Sequence, residues 1–269
     1  MSDLHYKRNL KGALIDRRNY DTAPKSLSEV HVHDAYELLY ILNGDIAHVI
    51  EGRRYKLNKH DLVIVRPNQY HFLQINAPNG YERYDIVFDP KELGVDNIDL
   101  LLSQMDVIKC KHLPIITECF KKLDYYNSVM DDEMLAKTLG LIIKEIIFNV
   151  SLIKSASDNV EMENLNPMVI AALDYINENL LTISSVSEIA KELFVTESYL
   201  YRIFKSELMT TPLKYITEKR LNIAKSLIMQ GVQPTKACAQ AGFNDYSTFY
   251  RGYKKHFGYS PMQKSDKNI

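Results

Sequence analysis

Two copies of one pattern, 49 residues apart, constrain this chain more than any other feature. The first runs Thr196-Glu197-Ser198-Tyr199-Leu200-Tyr201-Arg202-Ile203-Phe204-Lys205, and the second Asp245-Tyr246-Ser247-Thr248-Phe249-Tyr250-Arg251-Gly252-Tyr253-Lys254. Ser198 recurs as Ser247, Tyr201 as Tyr250, Arg202 as Arg251, Lys205 as Lys254 and Pro212 as Pro261. A repeat at fixed offset implies one structural unit used twice. Each copy reads as a helix with two faces. Leu200, Ile203 and Phe204, or Phe249 and Tyr253, fall on the spacing of a buried stripe. Ser198, Arg202 and Lys205, or Ser247, Arg251 and Lys254, fall opposite it.

That opposite face suits a DNA groove: cations meet phosphates, and a forked guanidinium reaches guanine edges. A shorter helix precedes each copy, over Val186 to Leu193 and Thr235 to Ala241. Short helix, tight turn and longer polar-faced helix is the helix-turn-helix order, expected over about 184–206 and 234–256. Between the copies, Pro212 opens a helix that Gly231 closes after Met229. Eighteen residues give roughly 27 Å at 1.5 Å each, a rigid spacer suited to successive groove faces about 34 Å apart.

From about Pro167 onward the chain resembles the DNA-binding domain of AraC-type bacterial transcription regulators. The matching elements are Ile189-Ala190, Tyr199-Leu200, Phe204-Lys205, Thr211-Pro212, Tyr215-Ile216, Arg220-Leu221, Ala224, Gly242-Phe243, Asp245, Phe249, Arg251, Lys254-Lys255 and Gly258-x-Ser260-Pro261. The resemblance implies base-facing roles for Ser198, Tyr201 and Arg202, and for Tyr246, Ser247, Thr248 and Arg251. Three positions depart from it. Met209 stands where glycine is usual, which would cost about 1 kcal/mol if the backbone there is left-handed. Pro234 replaces a common isoleucine, and Ala237-Cys238 stands for Ile-Ala.

Residues 1–110 read as β, with short strand-like runs at 37–41, 46–50, 53–57, 62–65, 71–75 and 84–88. Turns are expected at Asn43-Gly44-Asp45, Glu51-Gly52, Asn58-Lys59, Pro67-Asn68 and Asn76 to Gly80. Close-spaced short strands suggest a barrel or jelly roll. Within it lies His31-Val32-His33-x3-Glu37-x6-Gly44, then Pro67-Asn68-Gln69-Tyr70-His71. In extended chain His31, His33 and Glu37 share parity and face one side, and His71 can join them. The first motif resembles the cupin signature in full. The second departs, with Asp61 and Gln69 for its glycines and His71 one residue early. This short form resembles the sensor domains of AraC-type regulators, which implies a small-molecule pocket, often for a sugar and commonly without a catalytic metal.

Three readings of His31, His33, Glu37 and His71 stay open: effector contacts, ligands of a divalent transition metal, or histidines satisfied by hydrogen bonds at a barrel mouth. Arg17, Tyr36, Tyr40, His48, Arg66 and Tyr84 are further candidate contacts whose facing the sequence does not assign. No cofactor is expected beyond that metal alternative.

Residues 111–154 turn helical. Ile116, Phe120 and Leu123 form one stripe; Leu135, Leu139, Ile142, Ile143, Ile146, Ile147 and Val150 form a broader one. The broader stripe fits either a dimer interface or packing onto the barrel's own side. Polar, aperiodic residues 155–166 read as a linker before a C-terminal domain over 167–269.

The formal charge of −1 hides an asymmetry. Of 33 Lys+Arg and 34 Asp+Glu in the chain, 13 and 7 lie from Thr182 onward, which points to nucleic acid for that part alone. No apolar leader or bilayer-length run is evident. Cys110, Cys119 and Cys238 lack metal or disulfide spacing and suit a reducing cytoplasm. The expectation is a multidomain β + α chain: a cupin-like barrel, helices that pair two copies, and an all-α double helix-turn-helix. It would be a cytoplasmic DNA-binding regulator under small-molecule control, not an enzyme. The partners are a double-stranded DNA operator, an effector and a second copy, with RNA polymerase left open and no membrane. The alternative is a metal-dependent cupin enzyme, an isomerase or dioxygenase, fused to a DNA-binding domain.

Overall fold

The computed structural model describes residues 5–22, 30–96, 98, 106–152 and 162–263. Its N-terminal part is an antiparallel sheet of β1 (Tyr6–Leu10), β2 (Ala13–Thr22), β3 (Tyr36–Ile50), β4 (Arg53–Leu57), β5 (Asp61–Val65), β6 (His71–Phe88), β7 (Val107–Lys109) and β8 (Met162–Asn164). The order is β1-β2-β6-β3-β4-β8, with β5 paired to β3 and β7. The expected runs 37–41 and 46–50 are one strand, because Asn43 to Asp45 form an irregularity in its pairing with β6 and not a turn. Runs 71–75 and 84–88 also merge: β6 is held on one side by β3 and on the other by β2, as far as Thr22 opposite Asn79. The end of the expected linker adds a strand, β8, to β4; residues 153–161 lie outside the described part.

The irregularity in β3 reverses the inward parity. Leu39 and Ile41 lie in the interior cluster, and beyond Asp45 it is Ile46 and Ile50. The opposite face of the sheet, with Tyr36, Leu38, Tyr40, Tyr84, Ile86 and Phe88, is covered by two helices, α1 (Pro114–Val129) and α2 (Asp132–Ser151). Leu135, Leu139, Ile142, Ile143, Ile146, Ile147 and Val150 are all buried there. The broad stripe therefore packs onto the chain's own sheet, and its reading as a dimer interface is corrected. Periodicity could not decide this, since a sheet and a partner helix ask for the same stripe.

The C-terminal part is helical: α3 (Pro167–Glu178), α4 (Val186–Glu192), α5 (Glu197–Leu208), α6 (Pro212–Met229), α7 (Pro234–Gln240) and α8 (Tyr246–Phe257). Thr196 and Asp245 cap α5 and α8 at matching positions, accepting from Tyr199 N (3.2 Å) and Thr248 N (2.7 Å). Such caps stabilise a helix start by about 1 kcal/mol. The two helices have 12 residues each at the repeat's offset, and each ends in a left-handed residue, Met209 (φ 58°) and Gly258 (φ 80°). Arg220 ties the spacer α6 to the α3–α4 connection, donating from Nε to Leu180 O and from Nη2 to Ile183 O, both at 2.7 Å. Among the described residues no helix is long and apolar enough to cross a membrane.

Candidate nucleic-acid interface and barrel site

The buried stripes of α5 and α8 leave an open face on each. Leu200, Ile203, Phe204 and Leu208 point inward from α5, and Phe249 and Tyr253 from α8. Ser198, Tyr201, Arg202 and Lys205 are exposed, as are Ser247, Thr248, Arg251 and Lys254. The serine, arginine and lysine of the two sets stand at equivalent helix positions, and the sets carry hydroxyl, guanidinium and ammonium groups. Arg202 lies over the Tyr199 ring at 5.2 Å, which orients its fork. Two residues are less free than the sequence suggests. Tyr246 packs its ring on Phe249 (5.6 Å) and buries its hydroxyl without a partner. The Thr248 hydroxyl donates to Asp245 Oδ1 at 2.7 Å.

At the barrel mouth the structure brings together His33, Glu37 and His71. Glu37 Oε2 lies 3.1 Å from His33 Nε2 and 3.0 Å from His71 Nε2. Both Nδ1 atoms meet backbone carbonyls, Ala35 O at 3.0 Å and Gln69 O at 2.9 Å. The three side chains offer ligand atoms within 4.8 Å of one another. Burial alone would raise Glu37, but His71 and His33 offset it and hold the carboxyl well below the usual range. His31 pairs its backbone with His71 (2.8 and 3.0 Å), with its ring 5.9 Å from that of His71, and sits exposed at the rim.

Beneath the mouth lies a polar layer that the parity argument missed. His48 is buried and stacks on His71 at 5.7 Å. Arg83 Nη2 pairs with Asp85 Oδ2 (3.0 Å) and Asp16 Oδ2 (3.5 Å). Burial, then the nearby Glu37, pushes Asp85 up to about 7; burial, then His71, pushes His48 down to about 3. His48 Nδ1, Arg83 Nε and Asp85 Oδ1 are buried without a hydrogen-bond partner. Such orphaned atoms are uncommon in folded proteins, and each calls for a physical explanation.

The other candidates stand elsewhere. Tyr40 stacks on Phe120 (4.5 Å), Tyr84 donates to Asp124 (2.6 Å), and Arg17 lies over the Tyr84 ring (4.4 Å) and pairs with Glu82. With Tyr36, these belong to the helix-covered face of the sheet. Arg66 pairs with Asp106 at 2.7 Å.

Residues 18–149 match the model of the AraC-like ligand-binding domain, and residues 189–266 match that of a helix-turn-helix domain. LumQ of Photobacterium leiognathi is 31% identical over 134 residues, 49% of this chain and 52% of LumQ. RafR, the raffinose operon transcriptional regulatory protein of Pediococcus pentosaceus, is 27% identical over 54% of this chain and 52% of its own. Each of these two alignments thus spans about half of the relative. The lactose operon transcription activator of Staphylococcus xylosus is 24% identical over 91% of this chain and 85% of its own. Wild-type ToxT of Vibrio cholerae superposes over 95% of both chains at 15% identity and a TM-score of 0.41. With a ligand-binding module and a helix-turn-helix module matched in that order along its length, the chain belongs to the AraC-type family of bacterial transcription regulators.

Proposed function

We propose that this chain is a sequence-specific, DNA-binding transcription regulator whose output is set by a small molecule held at the barrel mouth. The carrying observation is the pair of capped 12-residue helices with the same serine, arginine and lysine positions exposed. In this reading Arg202 and Arg251 read base edges, and Lys205 and Lys254 neutralise phosphates. Ser198, Tyr201, Ser247 and Thr248 complete the contacts, while Tyr246 chiefly supports α8. Selection of bound duplexes from a random pool tests it. A defined sequence should emerge, and Arg202→Ala and Arg251→Ala should each weaken its binding by about 1–3 kcal/mol. No enrichment, or an unchanged preference in both variants, would reject the base-reading role.

The effector site in this reading is His33, Glu37 and His71, with His31 at the rim and the orphaned atoms of His48, Arg83 and Asp85 beneath. Such a polar, acceptor-rich site suits a sugar or related metabolite, and two relatives carry the names of raffinose and lactose operon regulators. A thermal-shift screen of sugars and sugar phosphates tests the class. The chain works in the cytoplasm, where its DNA is, and as a pair of copies. Pairing uses the outer face of α2, where Met134, Leu141 and Phe148 are exposed, together with Leu152 at its C-terminal end.

A second reading, that a divalent metal sits in the cluster, draws on one observation. Both Nδ1 atoms donate to carbonyls, so each Nε2 turns towards the Glu37 carboxylate. Neutral imidazoles held this way would aim lone pairs at an anion. A cation between them would satisfy those lone pairs, and carbonyl-anchored imidazoles are the usual support for a metal ligand. Metal analysis of the purified chain decides it. Stoichiometric iron, manganese or zinc lost in Glu37→Gln would favour this occupant and reopen the cupin-enzyme reading.

A further inference from the structure

The strands that frame the mouth separate it from the C-terminal domain by the thickness of one backbone. Side chains alternate across them. His71 joins the Glu37 cluster, while its neighbours Tyr70 and Phe72 join a buried cluster with Val169, Leu173 and Ile176 of α3, Phe204 of α5 and Tyr215 of α6. His48 and Val49 divide the same way. Val30 and Val32 pack on that C-terminal cluster, and His33 bonds Glu37.

Onto this outer side α6 lays a polar stripe. Lys225 Nζ pairs with Asp34 Oδ1 at 2.8 Å, and Asn222 Nδ2 donates to Val32 O at 3.4 Å. One turn nearer its start, Lys219 is 8% exposed, and its ammonium reaches Glu51 Oε1 and Asn177 Oδ1, both at 2.8 Å. Glu51 also accepts from Tyr215 Oη (2.6 Å), Asn177 Nδ2 (3.2 Å) and its strand neighbour Tyr70 N (2.6 Å).

Glu51 is the first residue of the two-residue turn between β3 and β4, where Ile50 pairs with Arg53. Its φ is 46° and that of Gly52 is 80°. Such turns favour Asn-Gly or Asp-Gly, because two left-handed residues are needed. Glutamate is a poor residue for the turn and a good one for what it touches. A Cβ on Gly52 would meet Leu173 Cδ1 at 2.6 Å, so the turn is pressed against α3. Strained positions of this kind persist where the surroundings over-determine them, and they gather at functional sites.

We propose that the Glu51 turn is the joint through which the state of the barrel-mouth cluster reaches the spacer helix α6, and so the placement of the two reading helices. The path is short: Glu37 holds His71, the preceding residue Tyr70 is clasped by Glu51 and lies 4.8 Å from the Tyr215 ring, and Glu51 holds Lys219. An occupant that moves His71 moves Tyr70, and the buried Lys219 ammonium has no other carboxylate within bonding distance among the described residues. The inference rests on the proposed function for the meaning of the output, but its test needs neither DNA nor effector.

The test is hydrogen exchange on the full chain in four forms: wild type, Glu51→Gly, Glu37→Gln and the double variant. Glycine suits φ 46°, so Glu51→Gly should leave the β3–β4 hairpin protected. The same variant should lower protection of the α6 amides about tenfold or more, the effect of losing a charged buried hydrogen bond. Glu37→Gln should lower α6 protection in the wild-type background and add nothing once residue 51 is glycine. If Glu37→Gln fails to fold, His33→Gln at the half-buried lip makes the same comparison. Equal effects in both backgrounds, or an α6 indifferent to either change, would overturn the joint. Duplex binding is measured separately. A chain that binds duplex without this coupling loses the joint and keeps the regulator reading. A chain that shows the coupling but binds no duplex keeps the joint and loses the regulator reading.

Discussion

Met209 occupies a position whose geometry favours glycine. Its φ of 58° ends α5 as Gly258 ends α8, and the family resemblance, which leads one to expect glycine here, made this departure legible in the sequence. Met209→Gly should raise stability by about 1 kcal/mol, read as a higher midpoint in urea with an unchanged slope. His48 was legible as a candidate contact, but its facing was not. The parity that puts Glu37 inward places His48 outward, until the irregularity at Asn43 to Asp45 reverses it. Its burial has a consequence in pH. The unfolded imidazole takes a proton near its ordinary 6.5, and the folded one is pushed down to about 3 by burial, then by His71. Folding therefore excludes a proton between those values. Stability from this group is full above 6.5 and falls by about 1.4 kcal/mol per pH unit as the pH drops towards 3. His48→Gln should flatten the fall in Tm between pH 6.5 and 4.5. An unaltered slope would assign the acid sensitivity to other groups.

Among the elements, the helices of the C-terminal half were readable nearly to the residue. Caps, prolines at first turns and apolar stripes are local signals, and all of them agree there. The long strands were not, because both carry turn residues inside them: Asn43-Gly44-Asp45 lies in β3 along an irregular pairing with β6, and Asn76 to Gly80 lies in β6 between β3 and β2. Strand β2 escaped notice through its charges: Asp16, Arg17 and Arg18 are accommodated by Arg83, Glu82 and one another. Helix α2 shows how two faces divide. Ile143 is fully buried against the sheet, so Ile143→Ala should cost about 2–5 kcal/mol in equilibrium unfolding. Leu141, 67% exposed, stands one heptad from both Met134 and Phe148. Leu141→Glu should leave the fold intact and, if two copies pair there, move the sedimenting species from dimer to monomer. A dimer unaffected by it would place the pairing surface elsewhere.

For the whole molecule, the sequence distinguished two modules and gave no sign of how they sit together. Glu51 was expected only as part of a turn and nothing in the sequence singled out Lys219; the folded chain makes them partners. Charge distribution, by contrast, was plain. The residues from Thr182 onward carry a modest excess of cations in a chain that is otherwise acidic. Duplex affinity should then come largely from a few phosphate contacts and fall with salt. The logarithm of the binding constant falls by about 0.9 per contacted phosphate for each logarithm of salt. Lys205 and Lys254 occupy equivalent, exposed positions on α5 and α8. If both helices lie on one duplex at once, Lys205→Gln and Lys254→Gln should each reduce the salt slope by about one, and the double variant by about two. They should do so evenly across duplex sequences, unlike Arg202→Ala and Arg251→Ala. A slope that responds to only one of the lysines would mean that a single helix-turn-helix unit carries the contact, and that the spacer α6 does not set two readers on one duplex.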